Sequence, residues 1–134
     1  MRFKTTACLS VILIITATIF SKETAAQSKP QYIRIARLVI DSTKLLTYNK
    51  ALKDHAEAAV RLEPGVIMLY AVGEKLRPDH VTVFEIYEDE DSYKFHIQQP
   101  HFLQYKAAVQ DIVKSLELVD VSPIALQAKK TISN

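Results

Sequence analysis

Twice along this 134-residue chain, a stretch with the helical period lies between two apolar runs rich in β-branched residues. That alternation restricts the fold more than any single motif. The first unit opens on YIRIARLVID (Tyr32–Asp41), which reads as a strand interrupted by Arg34 and Arg37. From Ser42 to Gly65, residues Leu45, Tyr48, Leu52, Ala56 and Ala59 recur three or four apart, predicting a helix that Ser42 caps and Pro64-Gly65 ends. VIMLYAVG (Val66–Gly73) is a second strand, apolar enough to expect cover on both faces.

A polar turn at Pro78-Asp79 leads to a third strand, Val81–Tyr87. The acidic cluster Glu88–Asp91 suits a solvated helix start, where the dipole favours negative charge. A helix is expected over Asp91–Gln99, broken and restarted at Pro100. It then continues through Leu116 with Phe102, Tyr105, Val109, Ile112 and Leu116 on one stripe. Glu117–Ala128 is read as the last strand. The order βαββαβ implies an α+β, ferredoxin-like fold: a four-stranded antiparallel sheet with both helices on one face. Right-handed crossovers leave the other face bare, and a second copy set sheet against sheet would cover it. A homodimer is expected on that ground.

The first 26 residues stand apart. Arg2 and Lys4 precede an apolar run, Cys8–Phe20, and small residues follow, the layout of a secretory leader cleaved after Ala26. The run is shorter than the roughly 20 residues that a spanning helix needs. An exported, periplasmic chain with no membrane attachment after cleavage is therefore expected. The organisation is leader 1–26, linker 27–31, domain 32–121 and C-terminal extension 122–134. Residues 1–26 hold Arg2, Lys4 and Lys22 against Glu23, so seventeen basic and fifteen acidic residues become fourteen of each. This balance gives no reason to expect a nucleic-acid partner. The single cysteine, Cys8, belongs to the leader, so no disulfide or thiol chemistry is expected of the domain.

FEIYEDEDSYKFHIQQPHF (Phe84–Phe102) resembles the segment that marks antibiotic biosynthesis monooxygenase domains. It has a strand ending Glu85-Ile86-Tyr87, then acids, a short helix carrying His96, and His101 beside Phe102. LEPGVIMLYAV is similar to that family's junction before its second strand. The resemblance spans roughly Tyr32–Val121. It implies a dimeric α+β barrel and activities that include cofactor-independent oxygenation of quinols and haem degradation. The haem-degrading branch uses Asn, Trp and His, where this chain places Ala36, His96 and Lys106 and has no tryptophan.

The residues can be weighed directly. Histidines five apart on a helix point about 140° apart, so His96 and His101 do not form a helical metal pair, and no metal is expected. An imidazole with an ordinary pKa of about 6.5 suits taking a proton from a phenol or hydroquinone. His96 is the candidate catalytic base. Arg34, Tyr87 and Tyr105 could hold the resulting anion, and Phe84, Phe95 and Phe102 could line an apolar pocket. The implied function is oxidation of a small quinol or polycyclic phenol by O2 without cofactor. The competing reading has His96 simply satisfied by a carboxylate or carbonyl between helix and sheet, in a non-catalytic dimeric small-molecule-binding or structural module of the envelope. Glu85 shares a strand face with Val81, Val83 and Tyr87, which calls for an ion pair with Arg34 or Arg37. His101 is expected near solvent, and His55 and His80 at ordinary helix and turn positions.

Overall fold

In the computed structural model, residues 29–129 are described. The leader and the last five residues lie outside them. Four strands, β1 (Tyr32–Ile40), β2 (Val66–Gly73), β3 (His80–Tyr87) and β4 (Val113–Val121), form one antiparallel sheet in the order β2-β3-β1-β4. Helices α1 (Leu45–Leu62), α2 (Glu90–His96) and α3 (Pro100–Val109) complete the α+β, ferredoxin-like arrangement. Among the described residues, no helix is long and apolar enough to cross a membrane.

Local chemistry explains most boundaries. Asp41, rather than Ser42, caps the first turn: its side chain accepts from the Thr43 amide, and a 3-10 turn over Ser42–Lys44 leads into α1. Asp89 caps α2 by accepting from the Ser92 amide and hydroxyl. Pro100 opens α3, where a missing N–H costs nothing.

The last third of the chain corrects the sequence reading. α3 stops at Val109, and Leu116 belongs to β4 rather than to the helical stripe. Residues 113–121 pair along the whole of β1, with Val113 opposite Ile40, Leu116 opposite Leu38 and Leu118 opposite Ala36. A full ladder of strand hydrogen bonds outweighs a helical period carried by two more residues. The strand expected to reach Ala128 ends at Val121.

The helices bury one sheet face. Ala36, Leu38 and Ile40 of β1 pack with Val81, Val83 and Tyr87 of β3 against Tyr48, Leu52 and Ala59 of α1. Tyr48 and Ile40 are completely buried. The opposite face is different. The register sets Met68, Ile86, Ile33 and Val121 in one row and Tyr70, Phe84, Ile35 and Val119 in the next. Tyr70 is 65% exposed and Val72 64%. β2 is an edge strand, and cover on both its faces is not found in the single chain.

Gly65 fixes the approach of α2. Its carbonyl accepts from the Glu88 amide at 2.9 Å. A Cβ there would stand 2.5 Å from Ser92 Oγ and 2.6 Å from Ser92 Cβ. The α1–β2 junction and the start of α2 therefore touch at a point only glycine can occupy. Gly65→Ala should cost about 1–3 kcal/mol of stability in urea unfolding, and Ser92→Gly in the same chain should recover part of it. An unchanged midpoint for Gly65→Ala would refute this packing.

Candidate functional site

A cavity of about 330 Å3 lies between the helices and the covered sheet face. That is within the usual size of small-molecule sites, about 300–1000 Å3. Its floor is Ala36, Leu38 and Val83, and α1 and α3 supply Leu52, Phe102 and Val109. Polar groups enter at separate points: Arg34, Glu85 and Tyr87 from the sheet, and His55, His96 and Tyr105 from the helices.

His96 is the last residue of α2 and is 1% exposed. Its Nδ1 lies 2.8 Å from Glu63 Oε1. Rings of Tyr87 and Phe102 surround it, with centroids at 5.3 and 5.2 Å. Burial, helped by the nearby His101, pushes the His96 imidazolium from 6.5 down to about 4, so the ring is neutral at pH 7. Both sequence readings meet here: the ring is satisfied by a carboxylate, and it also lines a cavity.

His55 and His101 are not the ordinary positions expected. His55 is buried, stacks on Tyr105 with centroids 4.9 Å apart, and places Nδ1 3.1 Å from His101 Nδ1. Burial, with His96 and His101 adding to it, lowers its imidazolium to about 3. His101 is largely shielded, its side chain 15% exposed, because the Pro100 break turns it inward. Its Nε2 is 2.9 Å from Glu63 Oε1 but off the hydrogen-bond axis.

Glu63 was not singled out by the sequence as a site residue. It is 4% exposed, burial raises its carboxyl, His101 opposes that rise, and its Oε2 has no hydrogen-bond partner. One signal was available: an acid at the end of α1 opposes the helix dipole, so its place there needs a tertiary reason.

At the other end, Arg34 donates to Asp120 Oδ1 at 2.7 Å and to the hydroxyls of Tyr32 and Tyr93. Its guanidinium stands 4.4 Å from the Tyr93 ring centroid and 5.2 Å from that of Tyr32. Hydrogen bonding to Arg34 holds the Asp120 carboxyl below its usual range. Glu85 therefore lacks the direct ion pair expected of it. Arg37 pairs instead with Glu117, at 2.9 Å, and Arg34 with Asp120. Glu85 faces Arg34 in register but accepts its hydrogen bond from Tyr87, at 3.1 Å. Burial raises its carboxyl, and Tyr87 and Arg34 moderate the rise.

Of the sequence candidates, the structure brings Arg34, Tyr87, His96, Phe102 and Tyr105 to one cavity. Phe84 lies on the open sheet face, one residue out of phase with Val83 and Glu85. Phe95 is 56% exposed on the outer side of α2. Neither lines the cavity. Ala36 and Lys106 do. Among the described residues, no group of three or more His, Cys, Asp or Glu is arranged to hold a metal ion.

The family model described as antibiotic biosynthesis monooxygenase matches residues 31–108. A protein from Bacteroides thetaiotaomicron VPI-5482, provisionally named as such a monooxygenase, is 48% identical; the match covers 76% of this chain and 97% of that one, with a TM-score of 0.73. The chain belongs to the antibiotic biosynthesis monooxygenase family. Provisionally named members from Nitrosomonas europaea (18% identical, 72% and 92% covered, TM-score 0.67) and Caulobacter crescentus CB15 (21%, 72% and 93%, 0.64) share the fold. No curated protein matches.

The buried imidazoles give the family domain a pH signature. Both His55 and His96 titrate lower folded than unfolded, so their contribution to stability is complete above about 6.5 and is lost as pH falls toward 4 and 3. Denaturant unfolding should show stability dropping below pH 6.5, by up to roughly 1.4 kcal/mol per pH unit for each histidine. Glu63 and Glu85, raised by burial, oppose this only near their own titration. Stability that is flat from pH 7 to 5 would contradict the burial of neutral rings.

Proposed function

We propose that this chain is a cofactor-independent monooxygenase that oxidises a small quinol or polycyclic phenol with O2. The observation that carries the reading is an imidazole, His96, on the wall of an apolar cavity that also holds a guanidinium and two phenols. His96 takes the hydroxyl proton. Arg34 and Tyr105 donate to the anion, while the single Tyr87 hydroxyl proton goes to Glu85. The electron-rich ring passes one electron to O2, the two radicals combine as a ring peroxide that takes back the proton held by His96, and cleavage of the O–O bond with loss of the hydrogen on the same carbon releases water and leaves a new carbonyl. Family membership and the relatives' names support an oxygenase; the quinol follows from the family resemblance, and the aromatic and hydrogen-bonding lining is compatible with it.

The proposal includes a homodimer, closing as an α+β barrel. On the open face Tyr70 and Val72 of the edge strand are 65% and 64% exposed, with Phe84, Ile35 and Val119 half-buried beside Tyr70, and a second copy would cover this row; Ile33 and Ile86 of the neighbouring row are already buried in the single chain.

His96→Ala should lower oxygen uptake with 1,4-dihydroxynaphthalene by about 10²–10⁴-fold. Undiminished uptake removes His96 from the chemistry and favours the non-catalytic binding module. Sedimentation at micromolar concentration should give a dimer for the native chain and a monomer for Phe84→Asp, which places a charge in the centre of the open face. A native monomer would overturn the assembly.

A further inference from the structure

We propose that Glu63 is a positioning residue for His96: Glu63 Oε1 takes the Nδ1 proton of that imidazole and leaves Nε2 as the unprotonated nitrogen turned to the cavity. This rests on the reading of His96 as the base, and it adds what decides which nitrogen accepts the proton.

The argument is one of donors and acceptors. A neutral imidazole carries one N–H and one lone pair, and the partner of one nitrogen sets the state of the other. His96 Nδ1 stands 2.8 Å from Glu63 Oε1, with side chains 1% and 3% exposed. An ionised carboxylate only accepts, so the proton belongs on Nδ1. His96 lines the cavity, and Nε2 is the ring nitrogen that Glu63 leaves free to serve it. An isolated histidine side chain prefers the opposite tautomer, with its proton on Nε2, and would present a donor where the reaction needs an acceptor.

Glu63 is also an expensive residue to keep in this place. It ends α1 against the helix dipole, its Oε2 has no partner, and burial raises its carboxyl. Packing between α1 and α2 would be served as well by an apolar residue of the same size. The second imidazole, His101, brings Nε2 to 2.9 Å from the same oxygen without aligned hydrogen-bond geometry. It offsets the effect of burial on the carboxyl, which favours the accepting form of Glu63. His55 stands behind His101, its Nδ1 3.1 Å away. The arrangement therefore surrounds one acceptor oxygen with imidazoles, and only His96 meets it on axis.

The test reads the tautomer itself. In the full chain with 15N-labelled histidine at pH 7, the His96 signals, identified by their loss in His96→Gln, should show a pyrrole-type Nδ1 and a pyridine-type Nε2. Glu63→Leu should move the ring to the Nε2–H form. A proton on Nε2 in the native chain, or a pattern unchanged in Glu63→Leu, would overturn the proposal; should that variant fail to fold, the native spectrum alone decides. With 1,4-dihydroxynaphthalene, Glu63→Leu should lower kcat by about 10²-fold or more while KM stays within about threefold. A matched rise in KM with kcat intact would assign Glu63 to binding instead and refute the role. If the native chain takes up no oxygen, the proposed function fails, and the nitrogen spectra still decide whether Glu63 sets the tautomer.

Discussion

A carboxylate that water scarcely reaches holds this domain's site together. Glu63 closes α1, His96 closes α2, and His101 stands in the first turn of α3. Three element ends meet at one oxygen. A buried carboxylate is tolerated only while its oxygens keep their hydrogen-bond donors. The surface pairs of α1 and α2, Lys50–Asp54, Lys53–Glu57 and Lys94–Glu90, are helix-spaced and exposed, so water screens them. Each of those surface pairs joins residues of a single helix, whereas the interior contact joins the ends of three. Gly65 serves the same end, since a side chain there would lever α2 away from the junction.

The cavity is chemically lopsided. Its helix side offers neutral nitrogen bases among aromatic rings, with His55 stacked on Tyr105. Its sheet side offers a cation clamped by two tyrosines and an aspartate, beside a half-buried carboxyl, that of Glu85, which lacks a direct counter-ion. A molecule spanning the cavity would meet imidazole nitrogens at one end and hydrogen-bond donors at the other. Low local dielectric strengthens both. That polarity suits an aromatic alcohol better than a purely apolar ligand, and it comes from three strands and three helices, not from one motif.

The element order and the covered face were legible because β-branched runs and helical spacing agree with the final packing over Tyr32–Tyr87. Past Val109 they conflict. The stripe from Phe102 to Leu116 is genuinely helical in period, yet pairing with β1 claims Val113 onward, a non-local interaction that a local pattern does not contain. The inward position of His96 was legible through its motif. Glu63 was not, because its partner lies 33 residues away and a Pro-Gly stop explained its segment without it. Phe84 and Phe95 illustrate the other failure: aromatic identity suggests a pocket wall, but strand phase and helix side decide which way the ring faces.

The break between α2 and α3 does more than end a helix. Gln98 and Gln99 return their side-chain amides to the carbonyls of Lys94 and Phe95, so the interruption is internally satisfied. On a continuous helix, His96 and His101 would diverge by about 140°; the three intervening linker residues swing the second ring back until both address the same acceptor. Residues 97–99 thus work as a gauge. Their number, more than their chemistry, sets whether two distant imidazoles converge, and adding or removing a single residue would unmake the constellation while leaving every member of it in place in the sequence.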